Sequence, residues 1–192
     1  HGLDERRIVQ QMKEIDALNK KFQVSGSKFR VLRGSECDIL KDGALDLPDE
    51  ILKQLDFVGA SVHSYFNLSR EEQTERLIRA MRNPNVDMIF HPTGRIVQKR
   101  EPYDLDMEKI IKIAKETGTI LEINGSDRLD LRDQHVRMCV DAGVKMAIDS
   151  DAHHISHFDF IEFGIAQARR GWATKKDIIN AWPVEKMLSF LK

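Results

Sequence analysis

Glu36, His63, His91, Asp151 and His153 are the residues of this chain whose types and placing suit them to chemistry together. Each stands at or just past the end of a short apolar, β-type run. The runs are Gly34-Ser35-Glu36-Cys37-Asp38, Ala60-Ser61-Val62-His63-Ser64 and Ile89-Phe90-His91-Pro92, and Asp151-Ala152-His153 follows Val144-Lys145-Met146-Ala147-Ile148. Residues two apart in a strand point to the same side, so Asp151 and His153 can address one point. Neutral imidazoles mixed with carboxylates are the donors taken by Zn²⁺ and other first-row divalent metals. A carboxylate can bridge two cations, which makes Glu36 the natural shared ligand.

Plainer readings stand beside this one. Glu36 would also be satisfied by pairing with Arg33 or a lysine, since an unpaired buried carboxylate is costly. His63 could be a core imidazole donating to a carbonyl, and Asp151 a helix cap. The same pattern repeated at several strand ends favours metal. In His91-Pro92-Thr93-Gly94-Arg95, Pro92 stiffens the exit from the strand and Gly94 admits close backbone approach. Arg95 then offers a planar fork suited to phosphate, or is an ordinary surface arginine. Asn124-Gly125-Ser126-Asp127-Arg128 reads equally as a structural turn and as a phosphate contact.

Asp149 shares the parity of Asp151 and could orient a ligand from behind. His154 and His157 read as surface or supporting residues, His135 as part of a solvated helix face, and His1 as a chain end. Arg169-Arg170-Gly171-Trp172 could hold a nucleic-acid backbone. The preferred reading is a helix C-terminus whose arginines complement the dipole.

These residues need elements to carry them. An amphipathic helix opens the chain, with Ile8, Met12, Ile15 and Leu18 on one face. Strands are expected around 29–32, 56–62, 86–90, 119–123 and just before Asp149. Between them lie a short helix from Pro48 to Leu55, a helix capped by Ser69 with Glu72 three residues on, and helices over 107–116 and 131–142 that end at Gly118 and Gly143. Helices around 161–169, 175–180 and 184–191 close the chain. Strands alternating with helices of this length imply a parallel α/β sheet or barrel, where functional groups gather at the C-terminal strand ends.

At 192 residues with 41% apolar and 32% charged composition, the chain suits one globular domain. A net charge of −1 makes no general demand for nucleic acid, though local basic residues would still allow it. Cys37 and Cys139 form no CxxC pair and fit free thiols in a reducing cytosol. No run approaches membrane-spanning length. No phosphate-binding glycine loop or GxSxG elbow occurs, which argues against nucleotide-cofactor and serine-hydrolase chemistry. The chain begins without Met and runs straight into a helix, so it is read as a piece of something longer, trimmed at its N-terminal side.

Taken in order, the motifs resemble the PHP (polymerase and histidinol phosphatase) superfamily, in particular the C-terminal PHP domain of bacterial and archaeal family X DNA polymerases. The resemblance covers essentially the whole chain. It rests on Gly34 to Leu40, Leu55-Asp56-Phe57-Val58, Ser61-Val62-His63-Ser64, His91 to Arg95, Leu121-Glu122-Ile123-Asn124, Arg128-Leu129-Asp130-Leu131, Ser150 to His153 and Ala168 to Trp172. It implies a distorted (β/α)7 TIM-like barrel holding up to three Zn²⁺ or Mn²⁺ ions, with Glu36, His63, His91, Asp151 and His153 as ligands. It also implies metal-assisted phosphodiester hydrolysis, as a 3′–5′ exonuclease or on abasic or 3′-phosphate ends. The expected partners are a DNA 3′ end and a polymerase domain of the same longer chain.

One departure is large. The family's HxH pair on its first strand is absent, and no HxH occurs in the chain. Residues 1–192 are therefore expected to be a PHP fragment lacking its N-terminal strand or strands, with fewer metals and weak or no turnover. Glu36, His63 and His91 would serve one metal, Glu36 and Asp151 a second, His153 a third. Arg95, Asn124 and Arg128 would meet the substrate, and His153, or a metal-bound water, would donate a proton to the leaving group. Rival readings are a phosphomonoesterase of the histidinol-phosphatase type, a non-catalytic PHP scaffold and, more distantly, an amidohydrolase-like barrel.

Overall fold

The computed structural model describes residues 3–191; His1 lies outside them. Five parallel strands follow one another in sequence order across a single sheet: β1 (Gly34–Asp38), β2 (Phe57–Ser61), β3 (Met88–Ile89), β4 (Ile120–Asn124) and β5 (Met146–Asp149). The connecting helices are α2 (Asp49–Leu52), α3 (Arg70–Met81), α4 (Met107–Thr117) and α5 (Asp133–Ala142), flanked by α1 (Glu5–Val24), α6 (Ile161–Arg170) and α7 (Val184–Leu188). Two 3₁₀ turns lie at Ile155–Phe160 and Ile179–Ala181.

Helix ends follow their local chemistry. Ser69 and Glu72 form the expected reciprocal capping box at α3. Gly118 and Gly143 end α4 and α5 in the left-handed conformation, with φ of 73° and 72°. Helices α3, α4, α5 and α6 each pack on the next and form one layer over the sheet.

Side-chain alternation sorts the sheet into two faces. Cys37, Val58, Ala60, Ile89, Leu121, Ile123, Met146 and Ile148 pack in the main core with the helices. Phe57, Met88, Ile120 and Ala147 point the other way, into a smaller cluster with Phe90, Ile179, Trp182 and Met187. Burial on both faces is the ordinary requirement of parallel strands. Glu36, Gly59, Ser61, Glu122, Asn124 and Asp149 share the parity of that second face, away from the helix layer.

Several elements differ from expectation. Residues 29–32 form no strand, because the backbone N–H of Val31 donates to Asn19 Oδ1 and the Asn19 amide donates back to Val31 O, both at 2.8 Å. The sheet begins instead at Gly34, in register with Phe57. Residues 175–180 form no α-helix: Ile178 runs parallel to Met146, whose N–H donates to Asp177 O at 2.9 Å, and only the 3₁₀ turn at Ile179–Ala181 follows. The Asn180 amide then bonds both N and O of Ile148, so a side chain finishes what the backbone begins along the β5 edge. Helix α1 buries Ile8 and Met12 only, and Leu18 is exposed.

Candidate metal centre

Glu36 projects from the middle of β1, whereas His63 and His91 lie two residues beyond β2 and β3. Strand spacing of under 5 Å brings these three neighbours together. Glu36 Oε1 lies 3.0 Å from His91 Nε2 and 3.3 Å from His63 Nε2, and it accepts a hydrogen bond from Ser61 Oγ at 2.6 Å. One ligand atom from each of Glu36, His63 and His91 falls within 4.8 Å of the others. His91 is buried, while Glu36 and His63 are more open.

Electrostatics fit the geometry. Burial pushes the Glu36 carboxyl up, but bonds from His63, His91 and Ser61 outweigh it and hold the group well below the ordinary carboxylate range. His63 is raised, first by its bond to Glu36 against the opposing effect of burial, then by Asp38. Asp38 Oδ1 stands 2.5 Å from His63 Nδ1. With Nδ1 protonated towards Asp38, Nε2 keeps its lone pair for a cation. Two imidazoles and a carboxylate with an open side are the donor set of a divalent catalytic metal, and the residues fit one.

Asp151 and His153 do not join that trio. The Asp151 carboxylate is engaged by Arg128 Nε at 3.3 Å and by the Asn124 amide at 3.2 Å. Two of the three residues expected to meet substrate, Asn124 and Arg128, therefore hold Asp151 here. Asp151 still borders the same cavity of about 590 Å³ as Glu36, His91, Glu122 and Asp149. His153 is 77% exposed, and its Nδ1 lies 2.9 Å from Asp151 O. Arg95 is half-buried beside Arg132 and Asp130, outside the cavity lining. Burial and the neighbouring Arg132 lower its pKa.

The plainer alternatives resolve differently. Arg33 pairs with Asp56 and leaves Glu36 to the histidines. The 3₁₀ turn after His153 is capped by His154, so Asp151 is no helix cap. His154 is exposed; His157 stacks on Phe160 at 5.0 Å. His135 is half-buried instead of solvated, and burial lowers its pKa. Arg170 closes α6 by pairing with Asp133, and Arg137 sits 5.1 Å over the Trp172 ring.

Four contributors escape a motif-by-motif reading. Asp38 orients His63, and Ser61 donates to Glu36. Glu122 is buried and accepts the backbone N–H of His91. Burial and the adjacent Asp149 raise the Glu122 carboxyl well above its ordinary value. Asp130, also buried and raised by burial, accepts the N–H of Thr93 at 2.8 Å. Three of the four announce themselves by parity: Asp38, Ser61 and Glu122 each stand two residues from Glu36, His63 or Asn124. His91 and Asp151 also share a backbone cost, with φ of 30° and 49°. Non-glycine residues held in that region concentrate at functional sites.

Known proteins with similar sequences point the same way. The chain is 42% identical over 193 residues to the DNA polymerase/3′-5′ exonuclease PolX of Bacillus subtilis (strain 168), which takes in 100% of this chain and 33% of that protein. It is 35% identical over 173 residues to a probable phosphatase of Thermoanaerobacter pseudethanolicus, covering 84% of this chain and 68% of the relative. A probable phosphatase of Acetivibrio thermocellus is 34% identical over 142 residues, at 68% and 56% coverage. The chain thus spans about a third of the polymerase and 56–68% of these phosphatases. No family model matches it.

Proposed function

This chain belongs to the PHP family, and from that premise we propose that it is the metal-dependent phosphodiesterase module of a longer family X DNA polymerase, acting on DNA 3′ ends. The observation that carries the proposal is the convergence of Glu36, His63 and His91 within 4.8 Å. Zn²⁺ or Mn²⁺ held there would supply Lewis acidity and a water that loses its proton near neutral pH. In this reading the chain is a PHP fragment, and strands preceding it complete a seven-stranded barrel and the remaining ligands. Among the described residues β1 pairs with β2 alone, and that open edge supports the reading.

The chain's own residues then divide the work. Asp38 holds the His63 tautomer, and Ser61 and His91 hold Glu36 ionised and aimed. Asn124 and Arg128 place Asp151 at the rim as a further ligand. Among the described residues Arg128 Nη1 has no hydrogen-bond partner, so the guanidinium keeps a spare donor for a non-bridging phosphate oxygen. Arg95 adds positive charge behind the rim. His153, exposed and tethered to Asp151 O, is placed to give a proton to the leaving oxygen. Turnover by these 192 residues alone is weak or nil. The buried free thiols Cys37 and Cys139 support a cytosolic setting.

A phosphomonoesterase of the histidinol-phosphatase type is the second reading, and the similarity to probable phosphatases favours it. The two separate in one assay. With Mn²⁺, a chain extended by its upstream sequence should shorten 3′-labelled DNA, and His91→Ala should abolish this. Hydrolysis of p-nitrophenyl phosphate with no action on DNA would favour the second reading. Activity on both substrates that survives His91→Ala would overturn the site itself.

A further inference from the structure

Arg76 lies on α3, outside the candidate metal centre, and is only 2% exposed. No carboxylate among the described residues pairs with it within 4 Å. Its guanidinium is spent on backbone carbonyls. Nε donates to Leu40 O at 2.8 Å, Nη1 to Ser64 O at 2.8 Å, and Nη2 to Ile39 O. Tyr65 covers the group, with its ring centre 5.7 Å from the guanidinium carbon, and adopts a left-handed φ of 55°.

The places of these acceptors in the chain are what matter. Ile39 and Leu40 directly follow Asp38 at the end of β1, and Ser64 directly follows His63 beyond β2. A buried cation with no direct acid partner carries a large desolvation cost, and burial lowers the Arg76 pKa although Asp38 and the neighbouring tyrosines oppose it. A core leucine or methionine could fill the same space without that cost. The fork geometry of arginine instead lets one rigid group reach two separate loops.

We propose that Arg76 is a positioning residue that clamps the β1 and β2 exit loops together and so sets the Asp38–His63 contact and the direction of His63 Nε2. The consequence for metal rests on the reading of Glu36, His63 and His91 as ligands; the clamp itself does not.

The test compares Arg76→Met and Arg76→Lys with Ile110→Ala, a core change on α4 that leaves the Arg76 guanidinium and its acceptors in place. Imidazole ¹⁵N–¹H spectra of the metal-free chain should show His63 protonated on Nδ1 in the unaltered protein and in Ile110→Ala. Arg76→Met should lose that signature. Arg76→Lys, with one ammonium in place of a fork, should fail to restore it. Titration with Co²⁺ should then show at least a tenfold loss of affinity, and a changed visible spectrum, for both Arg76 variants only. If the unaltered chain takes up no Co²⁺, the metal reading fails and the ¹⁵N spectra still decide the clamp. An unchanged His63 signature in Arg76→Met would overturn it. Should Arg76→Met fail to fold, Arg76→Lys decides in the same way.

Discussion

Asp38 and His63, on neighbouring strand exits, meet with carboxylate Oδ1 2.5 Å from imidazole Nδ1. That contact leaves Nε2 as the nitrogen facing Glu36 at 3.3 Å. An acid behind a histidine is the common means of fixing the tautomer of a metal ligand. Asp38→Asn should therefore lower Zn²⁺ affinity by about 10–100-fold, the range seen when such supporting acids are removed. Competition with a chromogenic chelator measures it. An unchanged affinity would place Asp38 outside the site's function.

Metal should stabilise the fold by mass action. At a free Zn²⁺ concentration of 100 times Kd, linkage supplies about 2.7 kcal/mol, or roughly 5–10 °C in Tm for a domain of this size. His63→Ala and His91→Ala should each remove the shift while the metal-free Tm changes less. Differential scanning fluorimetry with and without chelator is sufficient. A shift retained in both variants would locate the bound ion elsewhere.

Gly59, on β2, faces the ring of Phe90. A Cβ built there would come within 1.8 Å of Phe90 Cε2. Gly59→Ala should cost about 1–3 kcal/mol or more through overpacking. Phe90→Leu in the same chain should return part of the loss, so the two changes should be non-additive. Urea denaturation of the three variants tests this, and simple additivity would show that the ring moves aside freely.

Asp56 joins the start of β2 to the segment before β1. It accepts from the Arg33 backbone N–H at 2.9 Å, from Arg33 Nε at 3.1 Å and from Arg30 Nη2 at 3.1 Å. Burial pushes its carboxyl up, but the Arg33 bonds prevail and the net shift is downward. A carboxyl lowered by folding contributes fully above its unfolded value of about 3.9, and loses that contribution as pH falls through the folded value. At pH 7, Asp56→Asn should cost about 1.5–3 kcal/mol, the worth of hydrogen bonds to a charged group. The gap to the unaltered protein should close below about pH 4. A gap that stays constant to pH 3 would mean that the charge of Asp56 contributes nothing.

Much of the architecture was legible from local chemistry. Ser69 with Glu72, and glycines at 118 and 143, announce helix ends because capping needs only a few adjacent residues. The expected strands at 29–32 and helix at 175–180 failed for one shared reason. In each, an asparagine side chain ties the segment to residues far along the chain, Asn19 to Val31 and Asn180 to Ile148, and no local pattern encodes that pairing.

Residue type and period-two spacing alone nominated Glu36, His63, His91, Asp151 and His153, because strand alternation is a property of the chain itself. Which of them meet was decided in three dimensions. Parallel register sets β1, β2 and β3 side by side, so Glu36, His63 and His91 converge, while Asn124 and Arg128 draw Asp151 to the rim and His153 stays in solvent. The supporting contacts made by Arg76, Asp38 and Glu122 span 12 or more residues, and pairing at that range exists only after the chain has closed on itself.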